Sequence, residues 1–191
     1  MTIMPASRPR LSTADLEARL DKVYPQWKDY PLVIVGIRGY YMRSMGDPSQ
    51  NDRGIYDDAI FLHTSNVTAA FNANCDPSRG RPGMATLAPG FWPCYRFDLH
   101  HGRVKSYEAI CQRAGPVAIT RDGQPAVKSG MFGINIHCGG YWTTGSEGCQ
   151  TLPPEQWKSF YALARSEAQR LFGASWKTAV VPYALFEEGK P

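Results

Sequence analysis

Two side chains that together do nucleophilic chemistry, an imidazole and a thiol, lie in one short stretch of the chain at His137 and Cys149. A thiol is a strong nucleophile only as its thiolate, and a neighbouring imidazole can both take the proton and, once charged, steady the anion. The intervening loop carries Gly145 and Gly148, whose backbone N–H groups are unobstructed, as acyl transfer requires of an oxyanion hole. Ser146 is placed to buttress the turn that presents Cys149. Tyr141 and Trp142 sit between base and thiol, where their rings can flank a peptide or a sugar face. The alternative for the same residues is structural: Cys149 as a small buried hydrophobe, His137 as a hydrogen-bonded core histidine, Ser146 as a turn serine.

Other candidates are read as structural. Cys138 adjoins His137, but neighbouring strand residues point to opposite faces, which separates it from the same site. His100-His101-Gly102 reads as a turn after a strand, and His63 closes an apolar run. Asp57-Asp58 reads as a solvated strand start. No residue spacing indicates a metal site, and no metal or organic cofactor is expected.

The elements that must position the pair follow from local pattern. Residues 131–136 form an apolar, strand-like run delivering His137. After Cys149, Pro153 and Pro154 open a helix with apolar Trp157, Phe160, Tyr161, Ala164, Ala168 and Leu171, stopped at Gly173. The positive end of that helix would lower the Cys149 pKa if it lies close enough. Ser12 and Asp15 open an early helix, with Leu11 and Leu16 as a hydrophobic staple, limited by Pro25. The β-branched run 32–37 is a buried strand. Residues 60–62, 68–73 and 178–181 are further strands, 117–127 is a hairpin about Asp122-Gly123, and 107–114 is a short helix. Residues 38–58 have loop chemistry with interspersed aromatics and can form a binding wall.

The 191 residues are 43% hydrophobic and 20% charged, with 18 Gly and 15 Pro, so turns and strands are favoured over a helical bundle. The expected fold is mainly β with peripheral helices (α+β), as one domain over 1–191 with a helical extension at 1–30. Five cysteines without a C-x-x-C pair exclude a zinc ribbon and a complete disulfide framework. The net charge of +4 is scattered, without a basic stripe, which argues against nucleic acid and is compatible with an anionic polymer such as cell wall. No apolar run approaches the ~20 residues of a membrane span, and no secretory signal opens the chain. Synthesis in the cytoplasm without a signal peptide, and no membrane insertion, are therefore expected.

His137 preceded by Ile136, with Ser146-Glu147-Gly148-Cys149 downstream, resembles the signature of the L,D-transpeptidase catalytic domain, the YkuD-like family, in which Ile-His-Gly is followed by Ser-x-Gly-Cys. The likeness covers roughly 68–152, including a loosened upstream stretch around Pro77 and Gly83. It implies a YkuD-like β-sandwich or curved sheet and a cysteine enzyme acting on peptidoglycan stem peptides after the diamino acid of position three. The acyl-thioester would pass to an amine (L,D-transpeptidase) or to water (L,D-carboxypeptidase, a hydrolase). Carried over, Cys149 is nucleophile, His137 base, and the Gly148 and Cys149 amides the oxyanion donors. The chain departs in Cys138 for Gly, in a short intervening loop, and in Gln150 where members often carry arginine. Gln150 and Arg38, or else Arg53, Arg79 or Arg81, are then the candidates for holding substrate. The implied site of action is the bacterial cell wall or periplasm, reached as a phage lysis enzyme (endolysin) or an injected effector. Two other readings share the residues: a non-catalytic phage structural or wall-binding protein, and a cysteine amidase cutting another amide.

Overall fold

The computed structural model describes residues 3–47, 51–102 and 104–188. It is mainly β. In chain order the elements are α1 (Thr13–Val23), β1 (Leu32–Arg38), β2 (Asp58–Thr64), β3 (Thr68–Ala73), β4 (Ala85–Leu87), β5 (Gly90–His101), β6 (Ser106–Gln112), β7 (Val117–Arg121), β8 (Gln124–Gly130), β9 (Ile136–Cys138), β10 (Gln150–Leu152), α2 (Pro154–Phe172) and β11 (Val181–Glu187). Eight strands form one curved sheet in the order β10-β9-β6-β5-β11-β1-β2-β3, and β4-β7-β8 form a smaller one. Asn74 just past β3 exchanges two backbone hydrogen bonds of 2.8 Å with Thr151 of β10, so the two outer strands nearly close the sheet. That closure lays the segment after β3 beside the one that carries Cys149, and the Ser78 N–H donates to the Ser146 carbonyl at 2.9 Å.

β1 lies between β11, with which it runs parallel, and β2. It is buried on both faces, which is why its apolar run does not alternate. Leu32 and Ile34 join the larger core, with Trp157, Phe160, Ala164 and Ala168 of α2 and Val117 and Ile119 of β7. Val33, Val35 and Ile37 face Leu16 and Leu20 of α1. At roughly 1.5–3 kcal/mol for each fully buried large apolar side chain, this double burial fixes the strand's register.

Both helices begin and end on local chemistry. The Ser12 Oγ accepts the Asp15 N–H at 3.1 Å. Gly173 closes α2 at φ +55°, a conformation that disfavours a side chain.

Four expectations need correction. Residues 106–112 are strand β6, paired with β5 along its whole length; the i, i+3, i+4 spacing of Tyr107, Ile110 and Cys111 mimics a helix, but β5 offers twelve residues of strand to pair with. His100 and His101 accordingly lie within β5 and not in a turn. The last strand is Val181–Glu187, and residues 178–179 form a turn onto Ser175. The strand continues through Pro182 because this residue falls at the register irregularity between Val181 and Tyr183, where no ladder N–H is required. In the run 131–136 only Ile136 is in a strand; 131–135 are irregular. Of the stretches 38–58 and the N-terminus, residues 48–50 and 1–2 lie outside the described residues.

Candidate active site

β9 and β10 run parallel, with Ile136 opposite Gln150 and His137 opposite Thr151. Extending that register one residue back sets Asn135 beside Cys149, and the Gln150 N–H donates to the Asn135 carbonyl at 2.8 Å. Side chains alternate along each strand, so Cys149 and His137 emerge on one face as a diagonal pair, with Cα atoms about 8 Å apart by strand geometry. Both line a single cavity of about 820 Å³.

The turn carrying Cys149 is bound from several directions. The Ser146 Oγ donates to the Cys149 carbonyl at 2.7 Å and accepts the Gly148 N–H at 3.0 Å. Ser78 accepts the Ser146 N–H at 2.7 Å on its Oγ and donates its own N–H to the Ser146 carbonyl at 2.9 Å. Gln150 is fully buried: its Nε2 donates to the Gly148 carbonyl at 3.3 Å, and its Oε1 accepts from the Tyr183 hydroxyl at 3.0 Å. Gly148 has φ +130°, and a Cβ there would stand 2.6 Å from the Ala85 carbonyl oxygen. The glycine is thus required by the backbone it abuts.

On the opposite wall, the fully paired amide of Gln112 organises residues 131–134. Its Oε1 accepts the N–H groups of Phe132, Gly133 and Ile134, at 2.9–3.2 Å. This positions the next residue, Asn135, whose N–H donates to the Cys149 Sγ at 3.3 Å, while the thiol is directed to the Gly133 carbonyl at 3.5 Å. Among the described residues no hydrogen bond joins Sγ to the His137 ring, so the proton must turn from Gly133 towards the imidazole before it can be transferred.

His137 is almost fully buried, and its tautomer follows from its partners. Nδ1 lies 2.8 Å from the Cys138 carbonyl, which can only accept, so Nδ1 carries the hydrogen and Nε2 keeps a lone pair. The Tyr107 hydroxyl stands 3.0 Å from the same Nδ1. His100 stacks on the ring with centroids 4.1 Å apart at 18°. Burial and the neighbouring His100 push the His137 pKa down to about 4.

Burial likewise pushes the Cys149 thiol up to about 11; the Asn135 N–H offsets part of this and the Glu147 charge adds to it. The expected lowering by α2 does not arise, because β10 intervenes between the thiol and the helix start at Pro154. The resting site therefore holds a neutral thiol beside a neutral imidazole over most of the pH range.

Several other residues named from sequence lie elsewhere. Arg38 is buried, paired with Asp76 at 3.1 Å and donating to the Cys75 and Leu87 carbonyls at 2.9 and 2.8 Å, so it has no access to substrate in the cavity. Gln150 is excluded by its own burial. Arg53 is held by Asp122. Tyr141 and Trp142 are exposed, at 63% and 90%, and are not part of the cavity wall. Asp57 and Asp58 are fully buried and not solvated: Asp58 accepts the Gly39 and Cys75 N–H groups, and burial raises the pKa of both carboxyls. The Gly148 N–H is occupied by Ser146 and is not a free oxyanion donor; among the described residues the Cys149 N–H donates to no other group.

Of the arginines weighed from sequence, Arg81 does line the cavity, bridged to Glu147 at 2.9 Å across its rim. Arg121, His100 and Phe132 line it too. Arg121 donates to the Gly83 carbonyl at 2.7 Å and lies 5.6 Å above the Phe132 ring. Nothing local in the sequence marks it, since it ends a hairpin strand far from the motif. The cavity thus carries two arginines and one carboxylate, that of Glu147, beside the Phe132 ring.

All five cysteines are free. Among the described residues no cluster of three or more His, Cys, Asp or Glu side chains could hold a metal ion, and no helix is long and apolar enough to cross a membrane. No family model matches the chain, and no curated protein matches it.

Proposed function

We propose that this protein is a cysteine acyl-transfer enzyme of peptidoglycan, a divergent YkuD-like L,D-peptidase or transpeptidase acting on stem peptides in the cell wall. The observation that carries the reading is the shared cavity: the imidazole on β9 and the thiol on the residue before the parallel strand β10 both line one space of about 820 Å³, large enough for a peptide segment. Arg81 and Arg121 suit a substrate bearing carboxylates, which stem peptides do.

In this reading the Cys149 Sγ adds to the substrate carbonyl as its proton passes to His137 Nε2. The carbonyl electron pair moves to oxygen, facing the Cys149 N–H. Collapse breaks the C–N bond, and the imidazolium gives its proton to the departing amine. Water or an amine then attacks the thioester, His137 takes its proton, and the thiol is restored. The Nδ1–H to Cys138 bond supports this role, since it leaves Nε2 as the basic nitrogen.

One observation favours the competing, non-catalytic reading: the thiol is bonded to Gly133 and raised in pKa, as an inert cysteine would be. Muropeptide mass spectrometry separates the two. Disaccharide-tetrapeptide incubated with wild type should lose its fourth residue, or exchange it when D-methionine is added, while Cys149→Ala leaves it intact. Unchanged muropeptides with wild type would defeat the proposal.

A further inference from the structure

Among the described residues the Cys149 N–H has no hydrogen-bond partner and can meet an oxyanion, whereas the Gly148 N–H is taken by Ser146. A second donor stands in the cavity wall. The Gln112 N–H donates to the Asn135 Oδ1 at 2.9 Å, so that atom is the oxygen and the other terminus of the amide is the NH2. Asn135 Nδ2 lies 3.0 Å from the His100 Nδ1 and must donate to it. Neutral His100 therefore carries its hydrogen on Nε2.

We propose that His100 is a catalytic residue of this site, its Nε2–H serving with the Cys149 N–H as the oxyanion hole for acyl transfer.

The inference rests on the acyl-transfer reading above. Its geometry is held by one residue: Asn135 touches the Cys149 Sγ through its backbone and His100 through its side chain, so thiol and donor are fixed relative to each other. The stacked rings are complementary. His137 presents a lone pair at Nε2, and His100 presents an N–H at Nε2. During addition, the new S–C bond forms, the carbonyl π pair becomes the oxyanion, and the thiol proton goes to His137. His100 donates a hydrogen bond and keeps its proton. Burial, with His101 and Arg113 nearby, disfavours a second charge on His100, so it remains a neutral donor beside the imidazolium. Asn135 is a positioning residue acting through His100.

The test separates carbonyl addition from simple displacement at sulfur. p-Nitrophenyl acetate acetylates a thiol through a tetrahedral anion, whereas iodoacetamide alkylates it without one. His100→Phe keeps a stacking ring and removes the donor; His100→Gln restores an N–H near the same place. Acetylation of Cys149, followed by p-nitrophenolate release and peptide mass mapping, should slow on the order of 10²-fold in His100→Phe and recover in part in His100→Gln. Alkylation should stay within about twofold of wild type, since displacement needs no oxyanion hole. If wild type is acetylated at Cys149 and His100→Phe is as fast, the inference fails and the acyl-transfer reading stands. Parallel slowing of acetylation and alkylation would also overturn it, placing His100 in the support of the thiol or of the fold. If wild type reacts no faster than Cys149→Ala, the acyl-transfer reading fails and takes the inference with it.

Discussion

The resting Cys149 should be a slow thiol at neutral pH, in contrast to the pre-ionised cysteine that a motif of this type suggests. Burial places it near 11, so at pH 7 about one molecule in 10⁴ is thiolate. An ordinary thiol near 8.5 is about one part in 30 ionised, roughly 300-fold more. A more basic thiolate is also the better nucleophile, with a slope near 0.4–0.5, which returns roughly tenfold. Alkylation of Cys149 by iodoacetamide at pH 7 should then be about 30-fold slower than that of a free cysteine peptide. The rate should rise about tenfold per pH unit towards 11. His137→Ala should change it little, because the ring is neutral above about pH 4 and the sulfur is bonded, among the described residues, to Asn135 and Gly133. The assay is a pH series with Cys149 followed by peptide mass mapping. A rate already flat by pH 6, falling in His137→Ala, would refute the reasoning by revealing a preformed thiolate–imidazolium pair.

Three further outcomes test the supports of the site. Ser146→Ala removes two hydrogen bonds and strands the buried Gly148 N–H; urea unfolding should show a loss of about 2–4 kcal/mol. Gly148→Ala combines a φ of +130° with a Cβ 2.6 Å from the Ala85 oxygen, and should lower stability by about 2–6 kcal/mol and abolish acetylation of Cys149. His137, depressed in the folded state to about 4 from 6.5, contributes stability that is present above pH 6.5 and lost as pH falls through 4, about 3 kcal/mol in all. His137→Asn should flatten that acid limb in urea titrations. Asp57 and Asp58, raised by burial, act in the opposite sense and are common to both proteins.

What the sequence revealed is what is decided locally. The Ser12 cap, the Gly173 stop and the Asp122-Gly123 turn depend on a few neighbouring residues, and the unbroken run at 32–37 reports a strand covered on both faces. The proximity of His137 and Cys149 was legible because both belong to one strand-turn-strand passage. The rest depends on partners distant in sequence. Gln112 reaches residues 132–134 across some twenty positions, and His100 meets His137 only because β5, β6 and β9 are neighbours. Arg38 reads as a free cation until closure of the sheet sets Asp76 against it. The extent of the last strand beyond Val181 is set by pairing with β1 and β5, with an irregularity at Pro182 that exists only once β11 pairs with β5.

The most direct test of the proposed function is capture of its covalent intermediate. Wild-type protein mixed with disaccharide-tetrapeptide, quenched in acid within seconds and analysed by intact and peptide mass spectrometry, should carry the disaccharide-tripeptide acyl group as a thioester on Cys149. The adduct should vanish with hydroxylamine and be absent from Cys149→Ala. Fourth-residue release without any adduct, undiminished in Cys149→Ala, would contradict the account and assign the chemistry to another group.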